Sequence, residues 1–221
     1  MTATLLIQLD ALLQAWGAVG QYGGTVETMP RPTKSGVLGM VANALGRDYS
    51  DDMSDLSSLR FAVRTEKQGR IFADYRTAGG GKGFGENYSS PSKMWDGRAV
   101  GNAAKLVGDV SLRTATYLEE AAFTVSLTGD GDLLAQIRES LIRPARPVFL
   151  GRKSCPVEKP LVDDESLLSG DQHTMLAETA EGRHVWTEDR DGDICYENPA
   201  RGRDRRFGPV RIRHIREGGL Q

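Results

Sequence analysis

Two stretches with helical periodicity, each set between runs that read as strands, constrain the fold of this chain more than any other feature. Thr4-Leu5-Leu6-Ile7-Gln8-Leu9 is strand-like, and a Gly/Gln/Thr loop runs from it to Pro32. Thr33 can cap a helix in which Val37, Leu38, Val41, Ala44 and Leu45 recur at three- and four-residue spacing, with Gly46 as its stop. Leu59 to Thr65 gives a second strand and Ala121 to Thr128 a third. Asp132 to Leu141 gives an amphipathic helix, and Val148-Phe149-Leu150 a short fourth strand. The predicted order is β-α-β-β-α-β. That is an α+β chain with a ferredoxin-like (RRM-like) core, a plan whose sheet commonly receives single-stranded RNA.

The second and third strands of that plan should be joined by a hairpin of about two to five residues. Instead a segment from Glu66 to Leu118 intervenes, with eight glycines between Gly79 and Gly108. Such a segment cannot build its own core, so it is predicted to project as a thumb that orders on a partner. The core with its thumb (66–118) occupies residues 1–156. Residues 157–221 form a small C-terminal β-rich lobe, with short antiparallel strands at His184–Trp186, Asp193–Tyr196 and Val210–Ile215.

The net charge of −2 conceals a strong segregation along the chain. From Glu158 to Glu197 twelve acidic residues face three Lys or Arg, whereas from Arg201 to Arg216 seven arginines face only Asp204. Cys155 and Cys195 have no paired spacing, which points to neither a disulfide framework nor a structural zinc site and fits a reducing cytoplasm. Met1 to Leu13 has no basic leader, and no stretch approaches the ~20 apolar residues of a membrane span. The acidic pairs Asp51-Asp52, Asp163-Asp164-Glu165 and Asp189 to Asp193 are of a kind that solvated loops present routinely, and no metal site is assigned to them. No dinucleotide or nucleotide-triphosphate loop is present, because Gly79 to Gly85 satisfies neither glycine motif. No cofactor is expected.

Pro32-Thr33-Lys34-Ser35-Gly36 opens the first helix, where backbone N–H groups and the helix dipole favour an anion. Lys34 opposes that dipole at a cost of a few tenths to about 1 kcal/mol, which makes sense beside a phosphate; the bland reading is a capped surface helix with a solvated lysine. Gly151-Arg152-Lys153-Ser154-Cys155-Pro156 is either a phosphate-positioning turn or an ordinary basic one. Arg31, Lys34, Arg143, Arg146, Arg152 and Lys153 all fall in loops flanking the predicted sheet, as a backbone-tracking groove requires. In the thumb, Lys93, Trp95, Arg98, Lys105, Arg113 and Tyr117 interleave cations with aromatics, the mix expected for stacking on bases and neutralising phosphates. Metal-independent RNA cleavage generally needs a positioned base, often histidine, and His173, His184 and His214 all lie far from both basic motifs in sequence. No catalytic residue is assigned.

Six strings in register resemble one family. Leu12-Leu13-Gln14-Ala15-Trp16-Gly17, Pro32 to Gly46, Arg60 to Arg64, Asp74 to Thr77, Tyr117-Leu118 with Ala122 to Val125, and Leu150 to Pro156 together resemble the CasD family, the fifth Cas family of the RAMP superfamily. The resemblance implies a non-enzymatic subunit of the type I-E CRISPR surveillance complex (Cascade) that grips the 5′ handle of the CRISPR RNA. It also implies contact with the backbone subunit CasC and the large subunit CasA, and with target DNA only through the assembled complex. Gln14, Trp16, Lys34, Ser35, Arg152 and Lys153 would face the handle, and Lys93, Trp95, Arg98 and Arg113 would touch RNA or the neighbouring backbone subunit. A sister subfamily from type I-C systems cleaves precursor RNA with a tyrosine, lysine and histidine group, which is the alternative reading.

Overall fold

The computed structural model describes residues 1–17, 25–48, 50–78, 111–180, 183–199 and 207–216. Its spine is a long strand, β5 (Ser111–Asp130), which pairs antiparallel with β1 (Thr2–Gln14) from Gln14↔Leu118 to Thr2↔Asp130. On its other side β5 meets two partners in turn. Its first half pairs with β4 (Arg70–Ala78) and its second half with β3 (Arg60–Lys67). Gly69 and Glu120, both at positive φ (67° and 53°), turn the chain where the two halves meet. Position 69 admits only glycine, since a Cβ there would stand 2.6 Å from the Glu119 carbonyl oxygen.

Alternation along β1 explains its place. Leu5, Ile7, Leu9 and Ala11 are buried on one face, against α1 (Lys34–Ala44) and α3 (Gly131–Ile142). Helix α1 begins where Thr33 Oγ1 accepts the Gly36 N–H at 3.2 Å. Helix α3 begins where the Asp130 carboxylate accepts the N–H groups of Asp132 and Leu133, two bonds that hold its pKa below the usual carboxylate value. Val37, Leu38 and Val41 from α1 and Leu134 and Ile137 from α3 close the main core over Phe61, Val63, Phe123, Val125 and Leu127. A second, smaller cluster lies around Ala62, Leu176, Ala180 and Val185, under the single turn α4 (Met175–Glu178). The remaining short elements are β2 (Thr25–Val26), parallel to β5, and the turn α2 (Ser54–Ser57).

The predicted strand at Val148–Leu150 is not one. Pro147 offers no N–H to a ladder, and the Leu150 N–H is turned back to the Cys155 carbonyl at 2.8 Å, leaving one isolated bridge between Phe149 and Pro156. The position beside β1 is taken instead by β6 (Leu167–Ser169), antiparallel from Ala3↔Ser169 to Leu5↔Leu167. At the other edge, β7 (His184–Pro199) pairs with β3 and with β8 (Phe207–Arg216), giving the order β6-β1-β5-β3-β7-β8. Residues after 156 therefore supply both edges of the sheet that the earlier residues begin. The flanks of the glycine-rich insert are ordered too, as the β4–β5 ribbon from Arg70↔Glu119 to Ala78↔Ser111. Among the described residues no helix is long and apolar enough to cross a membrane.

Candidate nucleic-acid interface

A groove of about 470 Å³ runs along the outer side of α1, between the helix and the turn at residues 149–156. Ser35, Gly36, Gly39 and Asn43 line one wall, and Phe149, Gly151, Arg152 and Lys153 the other. The basic turn is held rigidly. Gly151 (φ 91°) packs so closely that a Cβ would stand 1.6 Å from the Ala15 carbonyl oxygen, and the Ala15 N–H donates to the Leu150 carbonyl at 3.0 Å. Cys155 N–H closes the turn onto the Arg152 carbonyl at 2.8 Å. Lys153 is exposed beside this turn, and Arg152 is half-buried.

Gln14 and Trp16 support this groove and do not face it. Both are fully buried. Gln14 Nε2 donates to the carbonyls of Leu9 and Ala121, and its Oε1 accepts the Trp16 indole N–H at 3.1 Å. The indole in turn supports the first turn of α1, where a Cβ on Gly36 would come within 2.8 Å of Trp16 Cε3. Gln14 and Trp16 thus fix the distance between helix and turn by packing, and their burial keeps both out of the groove lining, to which only Ala15 of the Gln-Ala-Trp string contributes.

Lys34 and Arg31 are corrected in the same way. Lys34 is 2% exposed; its Nζ reaches Glu188 at 2.7 Å and the Ser57 carbonyl at 3.0 Å. It points away from the groove that its neighbours Ser35 and Gly36 line. Arg31 makes a two-pronged pair with Glu197, and its guanidinium lies 5.9 Å from the Trp186 ring centre. The Lys34 backbone N–H also donates to Glu197, at 3.3 Å. The anion that the helix terminus attracts is therefore Glu197, and the electrostatic misfit of Lys34 is answered by Glu188. Burial pushes the Glu188 carboxyl up, and Lys34 opposes that shift.

Around the ribbon's base the structure gathers a cation cluster. Arg152 donates to the carbonyls of Thr116 and Glu27 and lies 4.9 Å over the Tyr117 ring. Arg76 donates to the Tyr117 hydroxyl at 2.6 Å, and that hydroxyl is 3.2 Å from Ser154 Oγ. Tyr117 is buried, which makes it a support for two guanidinium groups and removes it as a stacking surface. Arg76 was absent from the predicted set of site residues, although it falls within the family-like string Asp74 to Thr77. Arg143 and Arg146 lie elsewhere: Arg143 pairs with Glu139, and Arg146 donates to the Arg47 carbonyl and Asp48 beyond the far end of α1. Arg113 stands opposite Arg76 in the ribbon register. Lys93, Trp95, Arg98 and Lys105 lie outside the described residues.

With one carboxylate, Glu27, against Arg152 and Lys153, and a serine hydroxyl across from them, the groove suits a phosphate-bearing strand. The histidines stand apart from it. His173 is buried against Thr187 and the Glu188 carbonyl, and His184 and His214 are bonded to each other at 2.9 Å and stacked with Trp186 on β7 and β8. A family model described as "CRISPR-associated protein (Cas_Cas5)" matches residues 4–217. The chain is 29% identical over 196 residues to the CRISPR system Cascade subunit CasD of Escherichia coli (strain K12), covering 86% of this chain and 83% of that protein. It superposes on a Cas protein of known crystal structure with a TM-score of 0.71 at 29% identity, over 96% of this chain and 94% of the other. A chain of a CRISPR RNA-guided surveillance complex shares the fold, with a TM-score of 0.73 at 22% identity over 96% and 89% of the two chains.

Proposed function

The chain belongs to the Cas5 family of CRISPR-associated proteins, and from that premise we propose that it is the non-catalytic subunit of a type I-E surveillance complex that binds and caps the 5′ handle of the CRISPR RNA. The observation that carries this reading is the convergence of Ser35, Arg152 and Lys153 on one groove beside α1. The likeness to the E. coli Cascade subunit supports it along most of the chain. The strand order β6-β1-β5-β3, with α1 and α3 packed on one face, supports reading the core as ferredoxin-like, its fourth strand supplied late in the chain. The β4–β5 ribbon is the root of the thumb, and it exposes Ile71, Phe72 and Tyr75 for docking to a neighbouring subunit. In this reading CasC and CasA are the protein partners, target DNA is met only in the assembled complex, and the complex works in the cytoplasm.

The competing reading is a metal-independent endoribonuclease that processes precursor RNA. Its need for a base at the groove is poorly served by His173, His184 and His214, none of which lines it. Co-expression with the other subunits and a CRISPR array distinguishes the two. The subunit should be recovered in a complex with one processed guide RNA, and the purified chain should leave repeat RNA intact without metal. A specific cut in repeat RNA would overturn the capping role.

A further inference from the structure

A second groove, of about 830 Å³, opens beside the β7–β8 hairpin and shares no lining residue with the first. Four arginines line it: Arg60 from β3, Arg190 from a bulge in β7, and Arg211 and Arg213 from β8. The backbone dictates this gathering. Arg211 and Arg213 are two positions apart on one strand, so they leave the same face about 7 Å apart. Opposite them, Glu188 and Asp193 both register with Ile212, which pushes residues 189–192 out as a wall carrying Arg190. Gly192 is obligatory in that wall, since a Cβ would stand 2.5 Å from the Ile212 carbonyl carbon, and Arg211 fastens it by donating to the Gly192 carbonyl at 3.1 Å.

Counting charge gives the groove its sign. Glu188 is met by Lys34, Asp171 by Arg60 at 2.5 Å, and Asp189 by Arg213 at 3.3 Å. Four arginines against Asp171 and Asp189 leave an excess of two positive charges. The walls also carry the hydroxyls of Thr174 and Thr187; their one ring, the His173 imidazole, is buried, as is Val210, which leaves Ala177 and Ile215 as the part-exposed apolar residues. A protein partner would need apolar or aromatic anchors at the centre of its contact. Guanidinium forks beside hydroxyls match phosphate oxygens instead.

We propose that this second groove holds the sugar-phosphate backbone of a nucleic-acid strand, contacted without base readout. The assignment is independent of the first groove. It is tested with the full-length chain by fluorescence anisotropy over a salt series, using a uridine-rich RNA and the equivalent single-stranded DNA as probes. Arg190→Gln with Arg213→Gln removes two phosphate contacts, so the slope of log affinity against log salt should fall by about 1.4. Between about 50 and 200 mM salt the wild type would then lose about sevenfold more affinity than the double variant. Arg213→Lys, which keeps the charge, should retain the wild-type slope and guards against a folding defect in the double variant. Lys153→Ala in the same assay reports on the first groove separately. Loss with both probes assigns the site to the phosphodiester backbone of either, and loss with one alone names its source. An unchanged slope with both probes, or competition by a poly-glutamate peptide equal to that by RNA, would overturn the proposal.

Discussion

The Arg31 guanidinium meets both carboxylate oxygens of Glu197, at 2.6 and 3.1 Å, although 166 positions separate the two residues. Their side chains are 5% and 7% exposed, so removing either partner strands a charge in a low-dielectric interior. Arg31→Ala is expected to lower the unfolding free energy by about 3–5 kcal/mol. Urea unfolding measures this, and a loss below about 1 kcal/mol would mean that water relieves the pair.

Lys34 and Glu188 allow a sharper experiment. Lys34→Met alone should cost several kcal/mol, whereas Lys34→Met combined with Glu188→Leu should recover most of it, because an apolar pair needs no counter-ion. A double-mutant cycle on unfolding free energies tests the coupling, and simple additivity would refute it. The salt slope of RNA binding should stay at the wild-type value in the double variant.

Lys153→Ala should do the reverse. Its side chain is on the surface of the groove, so stability should move by no more than about 0.5 kcal/mol. Affinity for handle RNA should fall, and the salt slope should shrink by about 0.7, the value of one phosphate contact with a single strand. An unchanged slope would take Lys153 out of the interface.

Gly151→Ala tests the turn itself. A Cβ would stand in the left-handed region and 1.6 Å from the Ala15 oxygen, so the turn must move off β1. A stability loss of about 2–3 kcal/mol is expected, accompanied by weaker RNA binding as Arg152 and Lys153 lose their placement. Calorimetry and anisotropy on the same sample read both, and wild-type values in either would show that the turn has room.

His173 gives a pH signature. Burial holds its imidazole below the ordinary value of 6.5. Below that pH the unfolded chain takes up a proton that the folded chain resists, so stability present above 6.5 is lost as pH falls toward the folded-state pKa. His173→Gln should flatten the difference in unfolding free energy between neutral pH and pH 5, and a slope identical to wild type would assign the acid sensitivity to other groups.

Local periodicity made β1, α1, β3, the second half of β5 and α3 legible, because each carries enough alternation to declare a buried face. The three-residue β6 carries none, and Val148–Leu150 looked like a strand because apolar content alone does not reveal that a backbone N–H is turned inward. The Arg152-Lys153 segment was readable as a turn, since its two adjacent cations lie between a glycine and a proline. Lys34 was misplaced for a physical reason: its counter-ion Glu188 sits in an acidic stretch far along the chain, and a surface lysine and a buried one look alike until the partner is known. The supporting roles of Gln14, Trp16 and Tyr117 were hidden in the same way, since burial is a property of the fold.

The late position of Glu188 and Glu197 also sets a schedule for synthesis. While a ribosome is still making the first 180 residues, Arg31 and Lys34, just before and at the start of α1, have no counter-ions and β3 has a bare edge, so the helix start lacks its ion-pair anchors. Anchoring of the start of α1 against the sheet thus waits for the final hairpin.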